Sequence, residues 1–255
     1  MFPKTPTPRQ RADLALVERG FFESRVKAQE AIAAGLVRID GKPLRKPSEP
    51  IGAAAQIEAA APYPWVSRGG VKLAAALDAF GFDPAGAICL DVGASTGGFT
   101  DVLLARGAAK VYAFDVGHGQ LHPRLVADPR VVFCQGKDAR NLTLADFAEP
   151  PACIVCDVSF ISLALVLPNI LRFAGCGATL VALIKPQYEV GPAYVVKGIV
   201  KDAAARQRAC ATIKALLENA GWQIADLIES PIRGAEGNCE YLIGATKPAY
   251  EKHAR

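Results

Sequence analysis

The sequence predicts a doubly wound α/β domain with a sheet of seven, mostly parallel strands, preceded by a small α+β unit. Three observations support this fold class. The 255-residue chain is 51% hydrophobic and 21% charged, which is enough to form a sizeable core. Its apolar runs are continuous and strand-sized, as expected for strands covered on both faces. Segments of helical length separate most of these runs, which is the alternation typical of βαβ units.

Each predicted strand is a short apolar run. The seven runs are 88–93, 110–116, 131–134, 153–158, 179–185, 222–230 and 239–246. The predicted helices cover 70–80, 98–106, 162–173 and 202–220. This order is that of a Rossmann-like, nucleotide-binding sheet, in which ligands bind beyond the carboxyl ends of the strands.

The small unit contains two short helices, a strand and a turn. The first helix ends near Gly20, and the second opens at Ser24, a candidate N-cap. Asp40-Gly41 is a strong hairpin signal. We therefore predict a flexible N-terminus, the α+β domain, a proline-containing linker, the α/β domain and a tail. Their ranges are 1–10, 11–58, 59–67, 68–248 and 249–255.

Composition argues against several protein classes. No apolar run is long enough to span a bilayer, and the N-terminus lacks the apolar stretch of a secretory signal, so we expect a cytoplasmic protein without a membrane partner. Cys153 and Cys156 form a C-x-x-C pair, but residues three apart on a strand face opposite sides. No second pair follows at zinc spacing, so we predict no structural metal.

Charge is unevenly distributed along the chain. Residues 1–66 carry ten Lys and Arg against seven Asp and Glu, which is three of the net +4. Helix and hairpin would bring several of these cations to one side of the small unit. A solvated basic surface explains this as well as a polyanion partner does.

The pattern of the small unit resembles the RNA-binding module first described in ribosomal protein S-four. The matching positions include Arg11, Asp13, the Ser24-Arg25 pair and Gly41. The resemblance implies contacts with the phosphates and shape of structured RNA. The implied RNA-binding residues are Arg11, Arg25, Lys27, Arg38, Lys42, Arg45 and Lys46.

A glycine-rich segment, DVGASTGGFTD, follows the first strand of the larger domain and opens a helix. Its G-x-x-x-G-G spacing differs from the G-x-G-x-x-G of dinucleotide enzymes, and it lacks the Gly-Lys-Ser/Thr of a phosphate-binding loop. An acid at the strand end beside an uncrowded loop suits the amino-acid part of S-adenosylmethionine. The predicted contacts here are Asp91, Gly93, Ser95, Thr96, Gly97, Gly98 and Phe99.

Two further acids follow the next two strands. Asp115 ends the second strand, where a carboxylate can accept hydrogen bonds from both ribose hydroxyls. Asp138 follows the third strand, where methyltransferases often contact the adenine amino group. A surface turn is the alternative explanation for Asp138.

The larger domain resembles the FtsJ-like ribose 2′-O-methyltransferases, which carry a Lys-Asp-Lys-Glu tetrad. The matching residues are Lys72, Asp157, Lys185 and Glu240. A ribose hydroxyl is a poor nucleophile until its proton is drawn off, and a lysine in a dry site could serve as base or orient the hydroxyl. By this resemblance Lys185 has that role, Asp157 holds it, and Lys72 and Glu240 complete a charge network that fixes geometry.

Taken together, the small module, Trp65-Val66, SRGGVKL, the glycine loop, CDVSFISL, KPQYEVGP and GNCEYL resemble the TlyA, or hemolysin A, family. The resemblance implies methyl transfer to cytidine 2′-hydroxyls of ribosomal RNA, with ribosomal subunits as partners. The chain reads Tyr63-Pro64-Trp65-Val66 where the family typically has Arg-Ala-Trp-Val, and its sequence around Asp138 also departs from the family pattern.

Other hypotheses stay open at this stage. In the loop after Lys185, Tyr188 and Tyr194 could stack on a flipped base and Lys197 and Lys201 could hold phosphates, or the loop could be a mobile lid. The chain could bind ribosomal RNA without catalysis, although a complete tetrad argues against this. A membrane-active hemolysin lacks support, since no long amphipathic cationic helix is present. A nicotinamide-dependent oxidoreductase is disfavoured by the glycine spacing.

Overall fold

The computed structural model describes residues 9–234 and 237–249. The chain divides into two compact units, Met1–Pro64 and Trp65–Arg255. Most of the predicted flexible N-terminus, and all but the first residue of the predicted tail, lie outside the described residues. Arg9 and Gln10 correct the first of these predictions, because they belong to a paired strand.

From residue 9 onward, the N-terminal unit contains two helices and five short strands. Its helices are α1 (Ala12–Glu18) and α2 (Arg25–Ala33). Its strands are β1 (Arg9–Arg11), β2 (Val37–Ile39), β3 (Lys42–Pro43), β4 (Pro50–Gly52) and β5 (Ile57–Ala59). β1 pairs with β4, and β2 lies between β3 and β5.

Local signals in this unit act as the sequence predicts. The Ser24 hydroxyl accepts a hydrogen bond from the Lys27 N–H at 3.2 Å and so caps α2. Asp40 and Gly41 both have positive φ, 50° and 74°, which is the geometry of a type I′ hairpin turn between β2 and β3. Behind these elements, Leu16, Ile32 and Val37 are part of one apolar cluster that forms the unit's core.

The larger unit contains all seven predicted strands in one sheet, which confirms the fold class. The strands are β6 (Ile88–Val92), β7 (Lys110–Asp115), β8 (Val131–Gln135), β9 (Cys153–Cys156), β10 (Thr179–Ile184), β11 (Gln223–Glu229) and β12 (Tyr241–Thr246). Their spatial order is β11-β12-β10-β9-β6-β7-β8. Among these seven strands, β12 alone runs against its neighbours, pairing antiparallel with both β10 and β11.

Six α-helices lie in the described residues of this unit. They are α3 (Gly69–Phe80), α4 (Gly98–Ala105), α5 (Pro123–Val126), α6 (Leu163–Ile170), α7 (Pro186–Glu189) and α8 (Ala203–Asn219). Two apolar clusters cover the two faces of the sheet. Cys153 lies in one cluster and Cys156 in the other, as strand alternation predicts for residues three apart.

This topology places a crevice at one edge of the sheet. Successive strands run outward from β6 in one direction as β7 and β8, and in the other as β9 and β10, so the order reverses between β6 and β9. Loops that leave neighbouring strands in opposite directions open a crevice at their carboxyl ends. Because β12 is antiparallel and Tyr241 pairs with Ile184, the residue before β12 also lies at this edge.

Candidate active site

A cleft of about 520 Å³ lies at the carboxyl ends of β6, β7 and β9. Its walls combine apolar side chains with carboxylates, which is typical of a small-molecule site. The lining residues include Val92, Gly93, Ser95, Phe114, Asp115, Val116, Asp138, Asp157, Ser159, Phe160 and Ile161.

The loop after β6 is shaped by close backbone contact. Gly93 has φ +84°, and a Cβ there would clash with the carbonyl oxygen of Asp157, so only glycine fits between the ends of β6 and β9. Ser95 also has positive φ, 47°, and its N–H donates to an Asp115 carboxylate oxygen at 2.8 Å. The Gly117 N–H donates to the other oxygen at 2.7 Å. Asp115 is thus fixed at the cleft and keeps lone pairs for a ligand.

Asp91 lies fully buried at the end of β6, beneath the glycine loop. One carboxylate oxygen accepts a 2.6 Å hydrogen bond from the Thr100 hydroxyl, and Oδ1 accepts none from the residues that the structure describes. Burial raises the pKa of Asp91 to about 7, and the charge of Asp157 adds to the rise. Although it was predicted as a cofactor contact, the Asp91 carboxyl is bonded to α4 beneath the glycine loop and does not line the cleft.

Some of the other predicted cofactor residues are packed against apolar side chains. Gly97 packs against Leu125, where a Cβ would clash, and Phe99 is 3% exposed within an apolar cluster. Thr96, Gly97, Gly98 and Phe99 do not line the cleft. Asp138 does line it, while its carboxylate pairs with Arg140 at 2.6 Å. That ion pair holds the pKa of Asp138 below its ordinary value.

The four predicted catalytic residues form two buried or half-buried ion pairs. Lys185 Nζ lies 2.6 Å from the Asp157 carboxylate and donates to the Ser159 hydroxyl at 2.7 Å. Lys72 Nζ lies 2.5 Å from the Glu240 carboxylate, with side chains 7% and 2% exposed. Strand register explains why distant residues meet: Asp157 and Lys185 follow neighbouring parallel strands, and Glu240 directly precedes β12 rather than opening it.

Backbone packing restrains the second pair on both sides. A Cβ at Gly234 would clash with the Glu240 carboxylate. Gly70 precedes Lys72 by two residues on α3, and a Cβ there would clash with the Trp65 ring. The Val66 N–H donates to Asp101 on α4 at 2.9 Å. The start of this unit is therefore packed on the helix that carries Lys72 and bonded to the helix that follows the glycine loop.

Two side chains that line the cleft, Ser159 and Phe160, were not identified from the sequence as site residues. Ser159 bonds Lys185, and Phe160 is 89% exposed with φ +63°, a rare conformation for an aromatic residue. The Phe160 ring lies 5.4 Å from that of Tyr188. The position of Ser159 and Phe160 directly after a predicted strand was the signal that could have identified them. The exposure and positive φ of Phe160 arise only in the folded chain.

The loop after Lys185 is anchored by contacts at several points. Arg208 on α8 stacks over the Tyr194 ring at 4.8 Å, so Tyr194 is engaged away from the stacking role considered above. Val196 and Ile199 form an isolated bridge. The Asn238 side chain accepts from the Val200 N–H at 3.1 Å and donates to the Gly198 carbonyl at 2.7 Å. These contacts favour an ordered segment over a mobile lid.

In the N-terminal unit, a fully buried carboxylate organises two of the predicted RNA-binding arginines. Asp13 accepts hydrogen bonds from Arg11 at 3.0 and 3.1 Å, from Arg25 at 3.0 Å and from Gln29 at 2.8 Å. These bonds, with that of Arg11 the strongest, lower the pKa of Asp13. Both guanidinium groups stay about half exposed.

The remaining predicted RNA-binding residues are more loosely held. Lys27 pairs with Glu23 at 3.5 Å and lies over the Tyr63 ring, and Arg38 donates to the Gly41 carbonyl. Lys42, Arg45 and Lys46 are exposed around the hairpin. A basic surface is therefore present, with one rigid arginine pair and a more adaptable hairpin side.

No helix within residues 9–234 and 237–249 has the length and apolarity needed to cross a membrane. In the same residues no cluster of three or more His, Cys, Asp or Glu side chains could hold a metal ion.

Comparison with known proteins agrees with this geometry. The FtsJ-like methyltransferase family matches residues 65–247, and the S4 domain matches residues 10–57. The 16S/23S rRNA (cytidine-2′-O)-methyltransferase TlyA of Mycobacterium tuberculosis is 45% identical over 238 residues, which cover 92% of this chain and 89% of the relative. Hemolysin A of Brachyspira hyodysenteriae is 41% identical, covering 91% of this chain and 98% of the relative.

A solved structure extends the likeness to three dimensions. A candidate hemolysin from Streptococcus thermophilus is 38% identical with a TM-score of 0.75, covering 95% of this chain and 90% of that one. The fold, the presence of both units and the sequence identity over more than 90% of this chain point to the same family. The chain belongs to the TlyA family of FtsJ-like methyltransferases, with an N-terminal S4 domain.

Proposed function

We propose that this chain uses S-adenosylmethionine to methylate a ribose 2′-hydroxyl, that of a cytidine, in ribosomal RNA. The observation that carries the proposal is the Lys185 ammonium, which pairs with Asp157 and donates a hydrogen bond to Ser159, two residues that line the cleft. A second, buried pair of Lys72 and Glu240 completes the four charged groups. The printed activity of the 45% identical mycobacterial relative supports the same acceptor.

The cleft fits the methyl donor by its chemistry. Gly93 and Ser95 line the cleft where the glycine loop leaves β6, which is where the amino-acid part would lie. Asp115, held by two backbone N–H groups, can accept both ribose hydroxyls, while Phe114, Val116 and Ile161 provide apolar walls for a base. When bound, the cofactor would supply an electrophilic methyl group on a sulfonium.

The protein's part in the reaction is orientation and proton control. Lys185 would bond the 2′-hydroxyl and either orient it or take its proton, and Asp157 and Ser159 would hold the lysine in place. Lys72 and Glu240, fixed by burial, would restrain the acceptor side by positioning and electrostatics.

RNA would be held by both units. The Asp13-fixed pair of Arg11 and Arg25 presents two half-exposed guanidinium groups for phosphates. At the cleft, the exposed Phe160 ring offers a face on which an unstacked base can lie. The S4 domain match and the rRNA named for the mycobacterial relative support this partner.

The proposal is tested by methyl transfer. The protein is incubated with methyl-labelled S-adenosylmethionine and each undermethylated ribosomal subunit, or naked rRNA, beside a Lys185→Ala variant. Lys110→Ala is the matched control, since Lys110 begins β7 at the opposite edge of the sheet. We expect labelled 2′-O-methylcytidine with wild type and Lys110→Ala, and loss of label with Lys185→Ala. Absence of transfer by folded wild type to every substrate would overturn the proposal.

A further inference from the structure

Glu189 links the two segments that carry the Asp157–Lys185 pair. It ends α7, the short helix that begins directly after Lys185. One carboxylate oxygen accepts from the Ser162 hydroxyl at 2.5 Å, and the other accepts from the Leu163 N–H at 2.8 Å. Ser162 closes the loop that begins at Asp157. The same two segments are thus joined once by Lys185 and a second time by Glu189.

The second link is tightly constrained. Ser162 is the N-cap of α6, and its hydroxyl accepts from the Ala164 N–H at 3.1 Å while donating to Glu189. Two N–H groups of the first turn of α6 are thereby satisfied. A carboxylate at a helix N-terminus also interacts favourably with the helix dipole. Each carboxylate oxygen therefore has a directional partner, and the carboxylate fixes where α6 begins relative to α7.

The loop between these links contains residues that line the cleft. It runs from Asp157 through Ser159 and Phe160 to Ser162, and its Phe160 has φ +63°, a conformation that costs about 1–2 kcal/mol for a residue with a Cβ. A strained loop keeps its shape only where its ends are held. Asp157 is fixed by β9 and by Lys185, whereas the other end depends on Ser162 and its bond to Glu189.

We propose that Glu189 is a positioning residue for methyl transfer, acting through Ser162 and Leu163 to hold the Asp157–Ser162 loop against Lys185. This inference rests on the proposed function. Glu189 does not line the cleft. Its removal leaves Lys185, Asp157 and the cofactor-facing residues in the chain, but frees the loop to move by the small distances to which a reaction rate is sensitive.

A graded set of variants tests the link. Glu189→Gln keeps one acceptor oxygen and places an amide opposite Ser162, whose hydroxyl can turn to accept from it. Ser162→Ala removes one of the two bonds, and Glu189→Ala removes both. Ile170→Val is the matched control, because it weakens packing at the far, fully buried end of the same helix.

The measurements are the methyl-transfer rate at saturating RNA and cofactor, the affinity for S-adenosylmethionine, and the thermal midpoint. We expect Glu189→Ala to lower the saturated rate at least about ten-fold with cofactor affinity changed by less than about two-fold. Ser162→Ala should fall between, and Glu189→Gln should stay within about three-fold of wild type. Ile170→Val should keep the wild-type rate within about two-fold, even where its thermal midpoint falls as far as that of Glu189→Ala.

Hydrogen exchange supplies a readout that does not depend on activity. Exchange in 157–163 should rise in Glu189→Ala and stay at the wild-type level in Ile170→Val. A wild type that transfers no methyl group would refute the proposed function alone, and the exchange result would still decide whether the link holds the loop. Unchanged exchange, or a folded Glu189→Ala with the wild-type rate, would overturn the inference. Where Glu189→Ala does not fold, a Glu189→Gln rate as low as that of Lys185→Ala would also overturn it.

Discussion

The buried Lys72–Glu240 pair allows stability and catalysis to be separated. Removing one partner leaves the other as an uncompensated charge, since the two side chains are 7% and 2% exposed. For such a pair the expected cost is about 3–5 kcal/mol. We expect this loss in Lys72→Met and in Glu240→Met. The double variant leaves no charge behind. Its free energy of unfolding should therefore lie within about 1 kcal/mol of that of wild type, or above it. Methionine is chosen because its unbranched chain adapts to the vacated space.

Urea unfolding measures this cycle. Both tryptophans of the chain, Trp65 and Trp222, belong to the larger unit, so their fluorescence follows the unfolding of that unit. Independent effects would add to about 6–10 kcal/mol in the double variant, so coupling is easily distinguished from additivity. Where a single variant is already unfolded, the return of a cooperative transition in the double variant reports the same coupling. A double variant destabilised by the sum of the singles would refute the reasoning.

Methyl transfer by the same proteins gives the functional half of this prediction. All three variants should lose most of the saturated rate, because the double variant restores packing without restoring the charges. A stable double variant with wild-type activity would remove Lys72 and Glu240 from the proposed catalytic group.

Three further predictions concern single residues. Because burial raises the pKa of Asp91 to about 7, the native state binds an extra proton from about pH 4 to 7. Stability of the larger unit should therefore fall as pH rises through this window and level off above it, by about 4 kcal/mol at most, and Asp91→Asn should flatten the curve of urea midpoint against pH. Phe160→Gly relieves the positive φ and loses little burial, so its thermal midpoint should be equal or higher while RNA methylation falls; a lower midpoint would contradict this. Asp13→Ala should destabilise the N-terminal unit by about 2–4 kcal/mol, seen as faster hydrogen exchange in 10–58 with unchanged tryptophan unfolding, and normal exchange there would argue against its organising role.

Much of the larger unit could be predicted because its signals are local in sequence. Continuous apolar runs mark strands such as β6 and β10, and Asp115, Asp157 and Lys185 stand at or just beyond strand ends. Parallel topology then places those ends at one edge. The prediction that Glu240 belongs to the charge network followed from a family pattern, and the antiparallel insertion of β12 is what brings it to this edge.

Other features depend on tertiary contacts that no local pattern encodes. The exposure of Phe160 depends on a loop path between β9 and α6, and the partners of Glu189 lie more than 25 residues upstream in the sequence. Phe99 was predicted at the cofactor because it follows the glycines, yet α4 turns its side chain into the core. A helix that begins at a ligand loop directs successive side chains to different faces.

The order of the sheet also constrains how the molecule matures. Lys72 and Glu240 are 168 residues apart, and β12 fits between β10 and β11, which both precede it in the chain. Such non-local contacts form late, since the intervening chain must be ordered first. During synthesis, Glu240 emerges after β6 to β11. The four charged groups can therefore come together only after residue 240 has left the translating ribosome, so a partly synthesised chain would already contain the glycine loop and Lys185 but remain inactive.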